Sequence, residues 1–174
     1  IYLVATSGTT GRTKCIPVSQ DAAYLSYAWR DAYTPYGPDM RVGIYIFAIW
    51  EMFRPLRKGA GLWFPDASTL FAPAKLADFL ISNTIDEMLF TPSFYDTFLN
   101  ALDPDKAAAL PFKRVVLNGE VVSDDLIIAS LAKLPSVALW NLYSICETHD
   151  VCMSQLTEPA GDMPVSVGIP MEHL

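Results

Sequence analysis

The order of apolar and polar positions predicts strands alternating with helices. Apolar runs at 1–4, 41–47, 61–64, 85–90, 114–117 and 137–142 read as strands. Most lack the polar residue at every second position that a sheet with one wet face requires. Ile16-Pro17-Val18 adds a short extended segment. Ser19 or Asp21 can cap a helix to about Ala32, ended by Tyr33-Thr34-Pro35-Tyr36-Gly37-Pro38. A helix through Trp50-Glu51-Met52-Phe53 closes at Gly59-Ala60-Gly61. Pro73 suits the first turn of the next, with Leu76, Phe79 and Leu80 on one face and Asn83 at its end. Ser93 is the expected cap of a helix lined by Phe94, Phe98 and Leu102. Ser123 is that of a helix to Leu134 lined by Ile127, Leu131 and Leu134.

This alternation predicts an α/β fold, a mostly parallel sheet flanked by helices on both faces, in a single unit over 1–174. Ligands in such sheets lie beyond the carboxyl ends of the strands. The turns after Val4, Phe47, Phe90, Leu117 and Leu142 are therefore the places to look.

Composition narrows the class. Hydrophobic residues make up 52% and charged residues 18%, which excludes disorder. Glu51, Arg54, Asp78 and Asp86 interrupt the apolar runs well short of the ~20 residues a bilayer span needs, so no membrane partner is expected. A net charge of −7 with scattered basic residues argues against nucleic acid. Cys15, Cys146 and Cys152 are an odd number and suit a reducing cytoplasm. Cys146, His149 and Cys152 share a C-x-x-H-x-x-C spacing, but with no fourth ligand nearby the spacing reads as chance.

Candidate chemistry begins directly after the first apolar run, in Ala5-Thr6-Ser7-Gly8-Thr9-Thr10-Gly11-Arg12-Thr13-Lys14-Cys15. Such a loop can aim several backbone N–H groups and hydroxyls at one anion. Gly8 and Gly11 permit close backbone approach, Thr6, Ser7, Thr9 and Thr10 can donate, and Lys14 can neutralise phosphate charge. Its spacing differs from the G-x-x-x-x-G-K-[ST] P-loop. The run resembles the phosphate-binding loop T-S-G-[ST]-T-G-x-P-K-G of the adenylate-forming, AMP-binding superfamily, with Thr13 and Cys15 replacing proline and glycine.

Three later stretches continue the resemblance. Asn141-Leu142-Tyr143-Ser144-Ile145-Cys146-Glu147 is similar to N-x-Y-G-P-T-E. Asn141, Tyr143 and Glu147 match, while Ser144, Ile145 and Cys146 replace glycine, proline and threonine. A thiol at Cys146 is a weak donor where the family's threonine touches the α-phosphate. Asn118-Gly119-Glu120 resembles the G-G-E turn that lies along adenine. Trp50-Glu51-Met52-Phe53-Arg54-Pro55-Leu56 resembles W-E-M-F-x-P-L of amino-acid-activating domains of nonribosomal peptide synthetases.

The resemblance implies that the chain is an internal part of the large N-terminal subdomain of an adenylation domain, from a peptide synthetase or a synthetase-like carboxylate reductase, without its C-terminal subdomain. It implies attack of a carboxylic acid on ATP to give acyl-AMP, then transfer to phosphopantetheine on a partner carrier domain. Lys14 and Glu147 would be catalytic, Glu147 through Mg²⁺, with Tyr143 stacking on the base. The acid pocket would be walled by Ile46, Phe47, Trp50, Leu89, Val116, Asn118, Leu142, Asp150 and Val151. Ile46 stands where an aspartate pairs with a substrate α-amino group, so an aryl, aliphatic or betaine-type acid is expected. The alternatives are an acyl-CoA ligase, or a degenerate nucleotide-binding module supported by Thr13, Cys15, Ile46 and Cys146.

Overall fold

In the computed structural model, which describes residues 2–6, 14–146 and 148–172, the chain opens with an antiparallel hairpin. Its strands are β1 (Tyr2–Thr6) and β2 (Lys14–Val18), with Thr6 opposite Lys14. Ser19 then caps α1 (Gln20–Tyr33), its side chain accepting from the Ala22 amide at 3.1 Å. After β3 (Arg41–Gly43) come a 3₁₀ segment (Ile46–Met52), α2 (Phe53–Leu56) and β4 (Gly61–Trp63). Next are α3 (Ala67–Leu70), α4 (Pro73–Ser82), β5 (Glu87–Phe90), α5 (Pro92–Ala101) and α6 (Pro104–Ala109). The last elements are β6 (Arg114–Asn118), α7 (Asp124–Lys133), β7 (Ala138–Ile145), β8 (His149–Leu156) and β9 (Ile169–Pro170).

Strands β3 to β9 form one sheet in the order β4-β3-β5-β6-β7-β8-β9. Pairing is parallel from β4 through β7 and antiparallel for β7–β8 and β8–β9. Both faces are covered, which explains the unbroken apolar strands. On one face Leu76 and Leu80 of α4, Phe98 and Leu99 of α5 and Ile127 of α7 pack with Met88, Phe90, Val115, Leu117 and Leu139. On the other, Ala48 of the 3₁₀ segment meets Leu89, Val116, Leu142 and Met153, flanked by Trp29, Tyr33, Trp50 and Trp140. Residues 88, 90, 115 and 117 thus face one layer, and 89 and 116 the other. No helix among the described residues is long and apolar enough to cross a membrane.

The fold class and most elements agree with the sequence pattern, with four differences. The first strand does not join the main sheet, so the turn after Val4 is not at a carboxyl end of that sheet; among the described residues β1 pairs only with β2. Residues 46–47 belong to the 3₁₀ segment, whose kink lies at Ala48. Helix α5 is capped at Thr91 instead of Ser93, because the fixed φ of Pro92 suits the first helical position and moves the cap one residue upstream. The antiparallel edge β8–β9, and the short helices α3 and α6, have no counterpart in the predicted elements.

Candidate active site

The carboxyl ends of β6 and β7, the start of β8, the hairpin β1–β2 and the 3₁₀ segment converge on one cavity of about 390 Å³. Trp50, Asn118, Gly119, Ser144, Cys146 and Asp150 are among its lining residues. Tyr2, Val4 and Val18 of the hairpin close the opposite wall. The hairpin is seated by the Tyr2 hydroxyl, 2.5 Å from His149 Nε2, and by stacking of Tyr2 on Phe53 with ring centroids 5.8 Å apart. Lys14 therefore stands at the head of a hairpin fixed over the strand ends. Residues 7–13 and Glu147 lie outside the described residues, as do the side chains of Thr6, Ile46 and Phe47.

A second cavity of about 350 Å³ lies on the other side of the same strand ends, lined by Gly119, Glu120, Asn141, Tyr143, Val165 and Val167 among others. Tyr143 is 44% exposed, so its ring is available for stacking on a flat ligand. Asn141 acts on the cavity's far wall, donating from Nδ2 to the Ser166 carbonyl at 3.2 Å. Gly119 separates the two cavities at φ +90°, a backbone conformation that a side chain would strain. Its neighbours are already engaged. Asn118 donates from Nδ2 to the Leu142 carbonyl at 2.6 Å and to Ser144 Oγ at 3.0 Å, tying the end of β6 to that of β7. Glu120 accepts from the Ser93 amide and hydroxyl, both at 2.9 Å, and so holds the N-terminus of α5.

The β7–β8 hairpin brings Cys146 into the first cavity and Asp150 behind it. Strand β8 carries a bulge here: Tyr143 pairs with Cys152 and Ser144 with Asp150, leaving Val151 as the extra residue. The carbonyl of Val151 accepts from the Met171 amide at 2.8 Å. Val151 is not among the residues lining either cavity, whereas Trp50 and Asp150 line the first and Leu142 the second. Leu89, Val116 and Leu142 are gathered in the buried layer beneath Trp50.

Asp150 is 1% exposed and accepts from the Ser26 hydroxyl. Arg30 Nη1 and His149 Nδ1 each lie 3.4 Å from its Oδ2. Burial by itself pushes this carboxyl up, but Arg30, followed by His149 and the Ser26 hydrogen bond, holds it well below the usual carboxylate range. Arg30 is fully buried, and its closer partner is Glu51 at 2.6 Å. Burial works against its charge, yet Glu51 and Asp150 together raise it well above the ordinary guanidinium value.

The charged residues of the W-E-M-F segment thus serve α1. Glu51 binds Arg30, while Arg54 reaches Asp31 at 3.2 Å and Thr34 Oγ1 at 2.7 Å. Ser26, Arg30, Tyr2 and Val18 escaped the reading of motifs, and His149 entered it only through the C-x-x-H-x-x-C spacing. The available signal was on α1, whose buried stripe is Ala23, Ser26, Tyr27 and Arg30. A charged residue on an apolar stripe implies a buried partner.

Comparison with known proteins fits this arrangement. A family model described as AMP-binding enzyme matches residues 1–174. A glycine betaine reductase of Emericella nidulans is 39% identical over 162 residues, which are 92% of this chain and 13% of that protein. A phosphinothricin tripeptide synthetase of Streptomyces viridochromogenes is 30% identical, over 99% of this chain and 15% of the relative. The chain therefore spans about one seventh of these relatives' length. Among solved structures, the Vibrio cholerae adenylation domain in complex with glycyl-adenosine-5'-phosphate superposes with a TM-score of 0.84 at 24% identity, covering 98% of this chain and 33% of that one. At that identity the likeness supports the fold alone. By the match along its whole length, this chain belongs to the AMP-binding enzyme family.

Proposed function

We propose that the protein carrying this chain activates a carboxylic acid with ATP. A carboxylate oxygen attacks the α-phosphorus of ATP, the bond to pyrophosphate breaks, and acyl-AMP forms. A carrier-protein phosphopantetheine thiol then attacks the acyl carbon, releasing AMP and a proton. The observation that carries this reading is the convergence, on one cavity at the strand ends, of the hairpin headed by Lys14, the Asn118-Gly119-Glu120 turn and the β7–β8 turn.

Each part has a physical task. The hydroxyl and glycine loop, with Lys14, offsets the negative charge on the phosphates, and the exposed face of Tyr143 receives the adenine. The oxygen-rich surroundings of the triphosphate suit a hard cation, which Glu147 would hold and which would neutralise phosphate charge. The apolar layer of Leu89, Val116 and Leu142 beneath Trp50 aligns the acid. Isoleucine at position 46 and the 39% identity to a glycine betaine reductase both favour acids other than ordinary α-amino acids. The unpaired thiols of Cys15, Cys146 and Cys152 suit work in the reducing cytoplasm.

The test is acid-dependent ATP–pyrophosphate exchange by the full-length protein with amino, aryl, aliphatic and betaine-type acids. Exchange with a non-amino acid is expected. Exchange confined to α-amino acids would overturn the substrate reading. ATP binding without exchange for any acid would indicate a nucleotide-binding module instead.

A further inference from the structure

Among the described residues, the contacts of the Asp150 carboxylate all fall on one oxygen. Ser26, Arg30 Nη1 and His149 Nδ1 gather at Oδ2, while the residue lines the 390 Å³ cavity beside Trp50. The clamp at Oδ2 leaves Oδ1 as the oxygen to offer a ligand. The charge balance behind it is uneven. Arg30 serves two buried carboxylates, Glu51 at 2.6 Å and Asp150 at 3.4 Å. The next cations are held by other carboxylates, Arg54 by Asp31, which Arg57 and Lys58 share, and Arg114 by Glu87. Two buried carboxylates thus share one guanidinium behind the cavity wall.

A primary ammonium ion is a poor fit to this wall, because it needs three hydrogen-bond acceptors, and of the polar lining Asn118 and Ser144 are paired with each other and Tyr2 with His149, which leaves the one oxygen of Asp150 beside Trp50, Val4 and Val18. A quaternary ammonium needs none. It is stabilised by an aromatic face and a nearby negative charge, and its methyl groups suit apolar walls. We propose that Asp150 Oδ1 and the face of Trp50 together recognise the cationic head of a carboxylic acid bearing a quaternary ammonium group, and so set the substrate class. This rests on the acid-activation reading above.

The test compares two acids of one shape on the full-length protein: glycine betaine and 3,3-dimethylbutanoate, in which carbon replaces the charged nitrogen. The ratio of their kcat/KM values in pyrophosphate exchange is expected to favour the betaine by roughly tenfold or more. Asp150→Asn and, separately, Trp50→Leu should each bring that ratio towards one, whatever they do to overall rate. A wild-type ratio near one overturns the proposal without any variant, and so does a ratio that survives both substitutions. Exchange with other acids but with neither of this pair overturns it while acid activation stands. Silence with every acid defeats both.

Discussion

Arg30→Met is expected to destabilise the protein by about 3–5 kcal/mol, the range for removing one partner from a buried ion cluster. Methionine keeps much of the side chain's apolar bulk, so the loss reports on charge. Without the guanidinium, Glu51 and Asp150 remain almost fully buried with no cation between them. Adding Glu51→Gln to Arg30→Met should recover part of the loss, because the amide removes a charge that has become uncompensated.

The pH dependence carries the same signature. Asp150 has its pKa depressed in the fold, so its contribution to stability is present above the ordinary carboxylate pKa of about 4 and fades as pH falls towards the depressed value. In Arg30→Met the largest influence holding this carboxyl down is gone, with His149 and Ser26 left to oppose burial, so protonation begins at higher pH than in wild type. The gap between variant and wild type should therefore narrow in acid. Urea unfolding followed by tryptophan fluorescence at neutral and acid pH measures both effects. A loss below about 1 kcal/mol would mean that the cluster behaves as a solvated surface pair.

Glu147→Ala is expected to lower acid-dependent pyrophosphate exchange by about 10²–10³-fold with little change in thermal stability, the scale on which one charge-stabilising group acts in a transition state. Glu147 is the carboxylate that matches the last position of N-x-Y-G-P-T-E. Cys146 lines the cavity, and the Thr148 amide closes the turn on the Ile145 carbonyl at 3.2 Å. In the proposed reaction Glu147 would hold the cation that neutralises phosphate charge. A variant as active as wild type would remove Glu147 from the chemistry.

Much of this was legible in the sequence, for identifiable reasons. Strands such as Glu87–Phe90 and Arg114–Asn118 are buried along their length, so their apolar runs announced a sheet covered on both sides. The turns that matter could be located because parallel strands end together. Strand β8 was not legible, since Asp150, Cys152, Ser154 and Gln155 break any alternation, and the bulge at Val151 shifts the register midway. Asn118 ends β6 and Glu120 follows it in the turn, and their side chains are engaged by Ser144 and by Ser93, contacts that only tertiary structure supplies. Arg30 was hidden for the same reason. Its partners lie 21 and 120 residues away.

The most direct measurement follows the oxygen atoms of the substrate acid. With the carboxylate labelled by ¹⁸O, attack on the α-phosphorus leaves one labelled oxygen on AMP once the acyl group has passed to the carrier thiol. Mass spectrometry of AMP and pyrophosphate from the full-length protein reads this directly. One ¹⁸O in AMP and none in pyrophosphate is the expected result. Unlabelled AMP, or label appearing in inorganic phosphate, would mean that the acid attacks elsewhere on the triphosphate, and would contradict acyl-adenylate formation.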